Sequence, residues 1–298
     1  MGLIKELKHL DCGKVISRPK MSSYTSFKVG GHTRAMVFPK KTIQLIKLLK
    51  YLKNNDVNYK VLGNGSNVIF RDCDYDLVII KLDHFNKLRI INREIKVGAG
   101  YSLPALSLKA AKENLTGLEF ASGIPGTIGG AILMNAGAYK SDMGYIVSKI
   151  RVITPELKVE TMYNDQLDFH YRTSFLKENP GYICIEATLQ LRRGKKEAIM
   201  EVIKDRKRRR IESQPLEYPS AGSVFRNPPN NFAGKLIEDV GFKGKRVGGA
   251  MVSKKHANFI INYNKATGDD VIELIEKIKD KVKKEYDIDL KVEQEIVK

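Results

Sequence analysis

Two glycine-rich stretches are the first residues in the chain whose types and spacing can do chemistry. Gly63-Asn64-Gly65-Ser66-Asn67 follows a short apolar run, and Ser122-Gly123-Ile124-Pro125-Gly126-Thr127-Ile128-Gly129-Gly130 follows a helical one. Glycine lets backbone amides approach an anion with no Cβ in the way, and successive N–H groups form a concavity that holds phosphate oxygens. Ser66, Asn67, Ser122 and Thr127 add side-chain donors. One such loop reads equally as a tight turn; two of the same small, polar composition point to a pyrophosphate cradle. Neither is a Rossmann fingerprint, which needs G-x-G-x-x-G opening a helix inside a βαβ unit, and neither is a Walker A loop, which needs G-K-[ST].

The other charged feature is the run Lys204, Arg206, Lys207, Arg208, Arg209 and Arg210 around Asp205. On a helix these side chains surround much of the circumference, so some are simply solvated and others are available to a diphosphate. A nucleic-acid patch competes, but no aromatic residues interleave as a stacking platform.

The elements that must position these residues follow from periodicity. The spacing predicts an amphipathic helix over 42–55 on Ile43, Ile46, Leu49 and Leu52, then strands over 59–62 and 77–80 bounded by Gly, Asn or Asp. A second helix starts at the N-cap Ser102, with Pro104 in its first turn, and ends before Gly117. Paired strands are expected over 150–153, 159–162 and 182–191, the last with Ile183, Ile185, Ala187, Leu189 and Leu191 on one buried face. A helix over 195–210 carries Ile199, Val202 and Ile203 on its apolar side, and Pro215 and Pro219 mark a boundary after it. Beyond lie a helix over 233–240 closed by Gly241, a strand over 258–262, and a helix over 269–286 with Val271, Leu274, Ile275, Ile278 and Val282 in register. Short strands mixed with separate helices make this an α+β protein.

Further motifs fall in a recognisable order. Tyr24-Thr25-Ser26-Phe27-Lys28-Val29-Gly30-Gly31 precedes the two glycine loops, and Asn135-Ala136-Gly137-Ala138-Tyr139 follows them. Then come His170-Tyr171-Arg172-Thr173-Ser174-Phe175, Ser220-Ala221-Gly222-Ser223-Val224-Phe225-Arg226-Asn227-Pro228, Gly248-Gly249-Ala250, His256-Ala257-Asn258-Phe259 and finally Leu290-Lys291-Val292-Glu293. Over nearly its whole length the chain resembles the UDP-N-acetylenolpyruvoylglucosamine reductase (MurB) family, in the shorter type that lacks an inserted substrate loop.

The resemblance implies the FAD-binding fold of the vanillyl-alcohol-oxidase-like (PCMH-type) flavoproteins plus a C-terminal α+β substrate-binding domain. It divides the chain into a first flavin-binding subdomain, 1–80, to which 287–298 returns, a second, 81–194, and a substrate-binding domain, 205–286. It implies non-covalent FAD, held by Gly63, Asn64, Gly65, Ser66, Asn67, Ser122, Gly123, Ile124, Pro125, Gly126, Thr127, Gly129, Gly130 and Ala138. NADPH is the expected reductant, a UDP-linked enolpyruvyl sugar the substrate and UDP-N-acetylmuramate the product.

In such a reaction hydride adds to a vinyl carbon, and negative charge grows on the neighbouring α-carbon and its carboxylate. Arg172 would stabilise that charge with its fork of donors, and a protonated Glu293 would share the same oxygens. Ser223 would donate the proton to the α-carbon, helped by a cation such as Arg226. Asn227, Arg226, Tyr171 and His256 would contact the substrate, although His256 reads as readily as a loop or helix-end histidine.

The chain also departs from the family pattern. Asp287 and Gln294 replace a glycine and an aliphatic residue, Glu295 stands as the fallback for Glu293, and the final strand is expected to fray. His32 stands where proline is usual. Related oxidases attach FAD through a histidine near a glycine pair, so His32 keeps an oxidase of the same fold as the alternative.

Composition narrows the classes further. At 298 residues with 42% hydrophobic content the chain can bury real cores. A net charge of +18, from 52 basic and 34 acidic residues, favours anionic partners. Cys12, Cys73 and Cys184 are widely separated, which implies neither disulfides nor a metal site. No signal peptide or membrane span is legible, so a cytoplasmic monomer without nucleic-acid or membrane partners is expected.

Overall fold

The computed structural model describes residues 2–297. The chain forms two compact units. The first comprises the segments ending at Arg18, Arg34–Gly63 and Asp76–Arg208; the second comprises Pro19–Thr33, Asn64–Tyr75 and the chain from Arg209 onward. Segments 19–33 and 64–75 join the second unit because Phe27, Val29 and Ile69 lie in its core.

Two larger sheets lie mainly in the first unit. One has the strand order Lys14–Ser17, His32–Phe38, Asp74–Ile80, Tyr59–Val61, its first pair antiparallel and its last parallel. The other is antiparallel throughout and runs Val159–Tyr163, Val147–Ile153, Ile183–Gln190, Glu94–Gly98, Leu88–Ile91. Helices α1 (Leu3–His9), α2 (Thr42–Asn54) and α3 (Leu103–Lys112) supply Leu7, Leu45, Leu48, Leu103 and Leu106 to a core that also holds Val37, Val78, Ile95 and Leu189. Ser102 caps α3 as its sequence predicts, with Oγ accepting from Ala105 N at 3.4 Å. Two short helices follow, α4 (Ile128–Leu133) and α5 (Phe175–Glu178), then α6 (Lys196–Ser213).

Two apolar faces differ from expectation. In α2 the buried stripe is Leu45, Leu48, Leu49 and Leu52, while Ile43 is 57% exposed. Apolar residues at overlapping i, i+3 and i+4 spacings permit two faces, and the one made of four leucines is the one buried. In α6 only Ile199 and Ile203, spaced i, i+4, are buried, and Val202 turns to solvent.

The second unit packs α7 (Ala233–Asp239) and α8 (Gly268–Tyr286) on a small antiparallel sheet of Arg246–Val247, Ala250–Val252 and Ile260–Asn262. All five predicted apolar positions of α8 are buried. The strand expected over 258–262 begins only at Ile260, because Asn258 is committed elsewhere. Its Oδ1 accepts from Phe225 N at 2.9 Å, its Nδ2 donates to Phe225 O at 2.8 Å, and its carbonyl accepts from Val224 N at 2.9 Å. The last described strand is not frayed: Glu295–Ile296 pairs in parallel with Val68–Ile69, and Val297 N donates to Ile69 O at 2.9 Å. Among the described residues no helix is long and apolar enough to cross a membrane.

A capping box starts α8. Thr267 Oγ1 accepts from Asp270 N at 3.1 Å, and Asp270 Oδ2 accepts from both Thr267 N and Gly249 N at 3.0 Å. Burial pushes the Asp270 carboxyl up, but these donors outweigh it and hold the group below its ordinary value. Its contribution to stability is therefore present above about pH 4 and lost as pH falls through the depressed value. Asp270→Ala should lower unfolding free energy by about 1–2 kcal/mol at pH 7, and urea titrations should show that deficit fading below about pH 4.

Candidate active site

In the first unit Gly63, which opens the first glycine loop, meets the second loop at Thr127. A Cβ built on Gly63 would lie 2.6 Å from Thr127 Oγ1, so only glycine lets the first loop lie against the second at this point. Lys81, the only charged side chain in the buried class among the described residues, reaches the same spot: Nζ donates to Gly63 O and pairs with Asp83 at 3.3 Å. Periodicity gives no sign of this lysine beyond its place directly after the apolar run of a strand. Thr127 caps α4 through Gly130 N at 3.4 Å, and Ser122 Oγ donates to Glu119 O at 3.0 Å.

Part of the second loop holds itself in place. Ile128 N donates to Tyr101 O and Gly129 N to Ala99 O, at 2.9 and 2.8 Å, and Leu103 N donates to Gly126 O at 3.0 Å. The amides of residues 128 and 129 thus anchor the loop to the start of α3 rather than face an anion. Ile124 N likewise bonds Ala121 O at 3.1 Å, and Pro125 has no amide proton to offer.

The 135–138 and 170–174 motifs, far apart in sequence, are stapled together. Asn135 Nδ2 donates to His170 O at 2.9 Å, Ser174 Oγ to Leu133 O at 2.9 Å, and Arg172 Nη2 to Gly137 O at 2.8 Å. His170 and Thr173 exchange backbone bonds at 3.2 Å across the two-residue turn Tyr171-Arg172. Arg172 occupies the second turn position with φ +59°, where glycine or asparagine is the usual choice. Such a backbone costs roughly 1–2 kcal/mol for a residue with a Cβ. The guanidinium lies 5.1 Å from the centroid of the exposed Tyr171 ring. Ala138 leads into a second strained tip, Tyr139-Lys140, with φ +56° and +59°; Arg206 stacks on the Tyr139 ring at 4.7 Å.

In the second unit the remaining candidates lie along one zipper. Glu293 N donates to Val224 O at 2.7 Å and Arg226 N to Lys291 O at 2.9 Å, with Phe225 bridged to Val292. This register puts the half-buried Ser223 and Glu293 on neighbouring rungs and leaves Glu295 exposed. On the other side of the same segment, Asn67 Nδ2 donates to Glu293 O at 3.3 Å, and Asn67 O accepts from Glu295 N at 2.9 Å. Gly65, one turn earlier, accepts from Ser26 N at 3.0 Å. Asn64 is exposed and Ser66 half-buried.

Asn227 and His256 carry structural duties as well. Asn227 Oδ1 accepts from Ala233 N at 3.1 Å, at the start of α7. His256 Nδ1 accepts from Asn258 N at 3.2 Å, and its ring packs edge-on to Phe259 at 4.9 Å. Burial pulls the imidazole below its ordinary pKa, so at neutral pH it is uncharged with its proton on Nε2.

Two family models match the chain. Residues 33–162 match a family model described as an FAD binding domain, and residues 214–297 match the UDP-N-acetylenolpyruvoylglucosamine reductase C-terminal domain. Proteins named UDP-N-acetylenolpyruvoylglucosamine reductase from Anoxybacillus flavithermus and Clostridium kluyveri are each 42% identical, over 99% of this chain and 98% and 96% of their own lengths. The crystal structure of MurB from Thermus caldophilus superposes with a TM-score of 0.83 at 34% identity, covering 96% of this chain and 99% of that one. The chain belongs to the UDP-N-acetylenolpyruvoylglucosamine reductase family.

Membership in that family brings FAD, and the residues present suit it. A dinucleotide's diphosphate needs close backbone approach and positive charge. The Gly63–Thr127 contact suits the first, and the buried Lys81 ammonium, shared between Gly63 O and Asp83, brings a cation to the same loop. Lys81→Met should keep the fold and weaken FAD binding by roughly tenfold or more, as measured by fluorescence titration of apoprotein.

Proposed function

We infer that this protein is an FAD-dependent oxidoreductase that uses NADPH to reduce UDP-N-acetylenolpyruvoylglucosamine to UDP-N-acetylmuramate in the synthesis of peptidoglycan precursors, acting as a cytoplasmic monomer. Bound FAD supplies the capacity to take a hydride from NADPH and deliver it to the vinyl carbon.

The chain's own residues then manage the charge that hydride addition leaves on the α-carbon and carboxylate. Arg172 presents a fork of donors matched to that carboxylate. Glu293, in its protonated form, shares a hydrogen bond with the same oxygens, and Ser223 gives its proton to the α-carbon with Arg226 farther along the same strand. Tyr171, Asn227 and the Nε2–H of His256 contact the sugar nucleotide. The flavin is held through Gly63, Asn64, Gly65, Ser66 and Asn67, and through the 122–130 loop and Ala138.

The observation that carries this reading is the backbone register of 224–226 against 291–293. It brings the main chain at Ser223 and Glu293 together in a chain whose relatives are named for reducing an enolpyruvyl sugar nucleotide. The oxidase alternative gains nothing from His32, whose Nδ1 faces Asp74 at 3.4 Å.

Purified protein should be yellow, bleach on NADPH addition, and regain colour when the enolpyruvyl UDP-sugar is added. Arg172→Lys should leave bleaching within about twofold of wild type and slow recolouring by roughly 100-fold or more, because the fork is lost and the charge kept. Protein that binds no FAD, or reduced protein indifferent to the UDP-sugar, refutes the reading.

A further inference from the structure

Gln294 is a glutamine where a strand entering a core would ordinarily place an apolar side chain. It is 4% exposed, and its Nε2 donates to two carbonyls, Ala221 O at 2.9 Å and Gly222 O at 3.2 Å. Those are the two peptide units immediately ahead of Ser223. Gly222 sits at φ +76°, so the chain turns through a residue with no Cβ to restrict it just before the serine. On the far side of the serine, Val224 O is held by Glu293 N at 2.7 Å, and Val224 N by Asn258 O at 2.9 Å. Ser223 is therefore suspended between two anchors, and adjacent residues of one segment, Glu293 and Gln294, supply a bond to each.

Stability alone does not account for an amide here. Gln294 Oε1 is buried and has no hydrogen-bond partner among the described residues. A buried acceptor left unpaired costs free energy that an apolar side chain of the same volume avoids. The amide's return lies in what Nε2 holds.

We propose that Gln294 is a positioning residue for proton delivery: by holding the Ala221 and Gly222 carbonyls it fixes the backbone that aims the Ser223 hydroxyl at the substrate's α-carbon. The inference rests on the role given to Ser223 above. In the step itself a C–H bond forms at the α-carbon as the Oγ–H bond breaks, and solvent water returns a proton to the serine oxygen. Displacing a reacting group by about 1 Å can cost on the order of 100-fold in rate, which is the scale a loosened clamp would reach.

The test separates the two half-reactions of the holoenzyme by stopped flow. Gln294→Met keeps the volume and removes both donated bonds. Flavin reduction by NADPH should stay within about twofold of wild type, while reoxidation by the enolpyruvyl UDP-sugar should slow by roughly 10- to 100-fold. Placed in a Ser223→Ala background, the same substitution should add no further slowing, because its effect passes through the hydroxyl already removed. Equal slowing of both half-reactions, full additivity with Ser223→Ala, or wild-type reoxidation by Gln294→Met overturns the inference. Should Gln294→Met lose its flavin, Gln294→Leu decides: it is apolar, close in size, and donates to neither carbonyl. It should show the same selective loss, and wild-type reoxidation by that variant overturns the inference. Wild-type protein that the UDP-sugar does not reoxidise sinks the parent reading; wild-type success with unaffected variants sinks only the role of Gln294.

Discussion

The second unit depends on the final segment of the chain finding backbone partners on both of its edges. Residues 291–293 pair with 224–226 on one side, and 295–297 pair with 67–69 on the other. Buried backbone groups must be hydrogen-bonded, so this segment cannot shift by one residue without breaking both ladders. A one-residue slip would also turn every side chain to the opposite face. Main-chain register therefore sets the alignment of the Ser223, Glu293 and Asn67 backbones, and the Asn67 amide reinforces it by donating to Glu293 O.

The first unit solves a different problem by the same economy. Its strained turns sit at the ends of strands and short helices whose apolar faces lie in one continuous core. Arg172 and Tyr139-Lys140 occupy left-handed backbone, and their turns are pinned by Asn135, Ser174 and Arg206. Each strained residue costs on the order of 1 kcal/mol, a burden that only a well-packed scaffold can carry against a net stability of about 5–15 kcal/mol.

How much of this was legible in the sequence depends on the range of the interaction. Helix α8 could be read in full, because its apolar residues fall on a single face with no competing spacing and Thr267 with Asp270 forms a local cap. The existence of α2 was legible and its buried face was not, since several isoleucines and leucines satisfy the helical period at once. The glycine loops announced themselves as loops. That residues 128 and 129 turn their amides back toward Ala99 and Tyr101 is a tertiary fact with no trace in loop composition. Lys81 reaching Gly63, and Gln294 reaching Ala221, are contacts between residues distant in sequence, which no local pattern encodes.

Lys81 and Gln294 share a physical character with Arg172. Each is a polar group in a place where local rules favour an apolar or glycine residue: a buried ammonium, a buried amide with one end unpaired, a guanidinium on a glycine-type turn. Sequences are locally consistent where only folding is at stake, and inconsistency persists where another requirement opposes it. Under the function proposed above, the opposing requirement is negative charge, on the flavin diphosphate and beside the substrate carboxylate, which calls for fixed donors prepared in advance. Lys81, Arg172 and Gln294 each hold a backbone carbonyl, of Gly63, Gly137 and Ala221 respectively, and so each ties a costly polar side chain to the geometry of a loop expected to carry the chemistry.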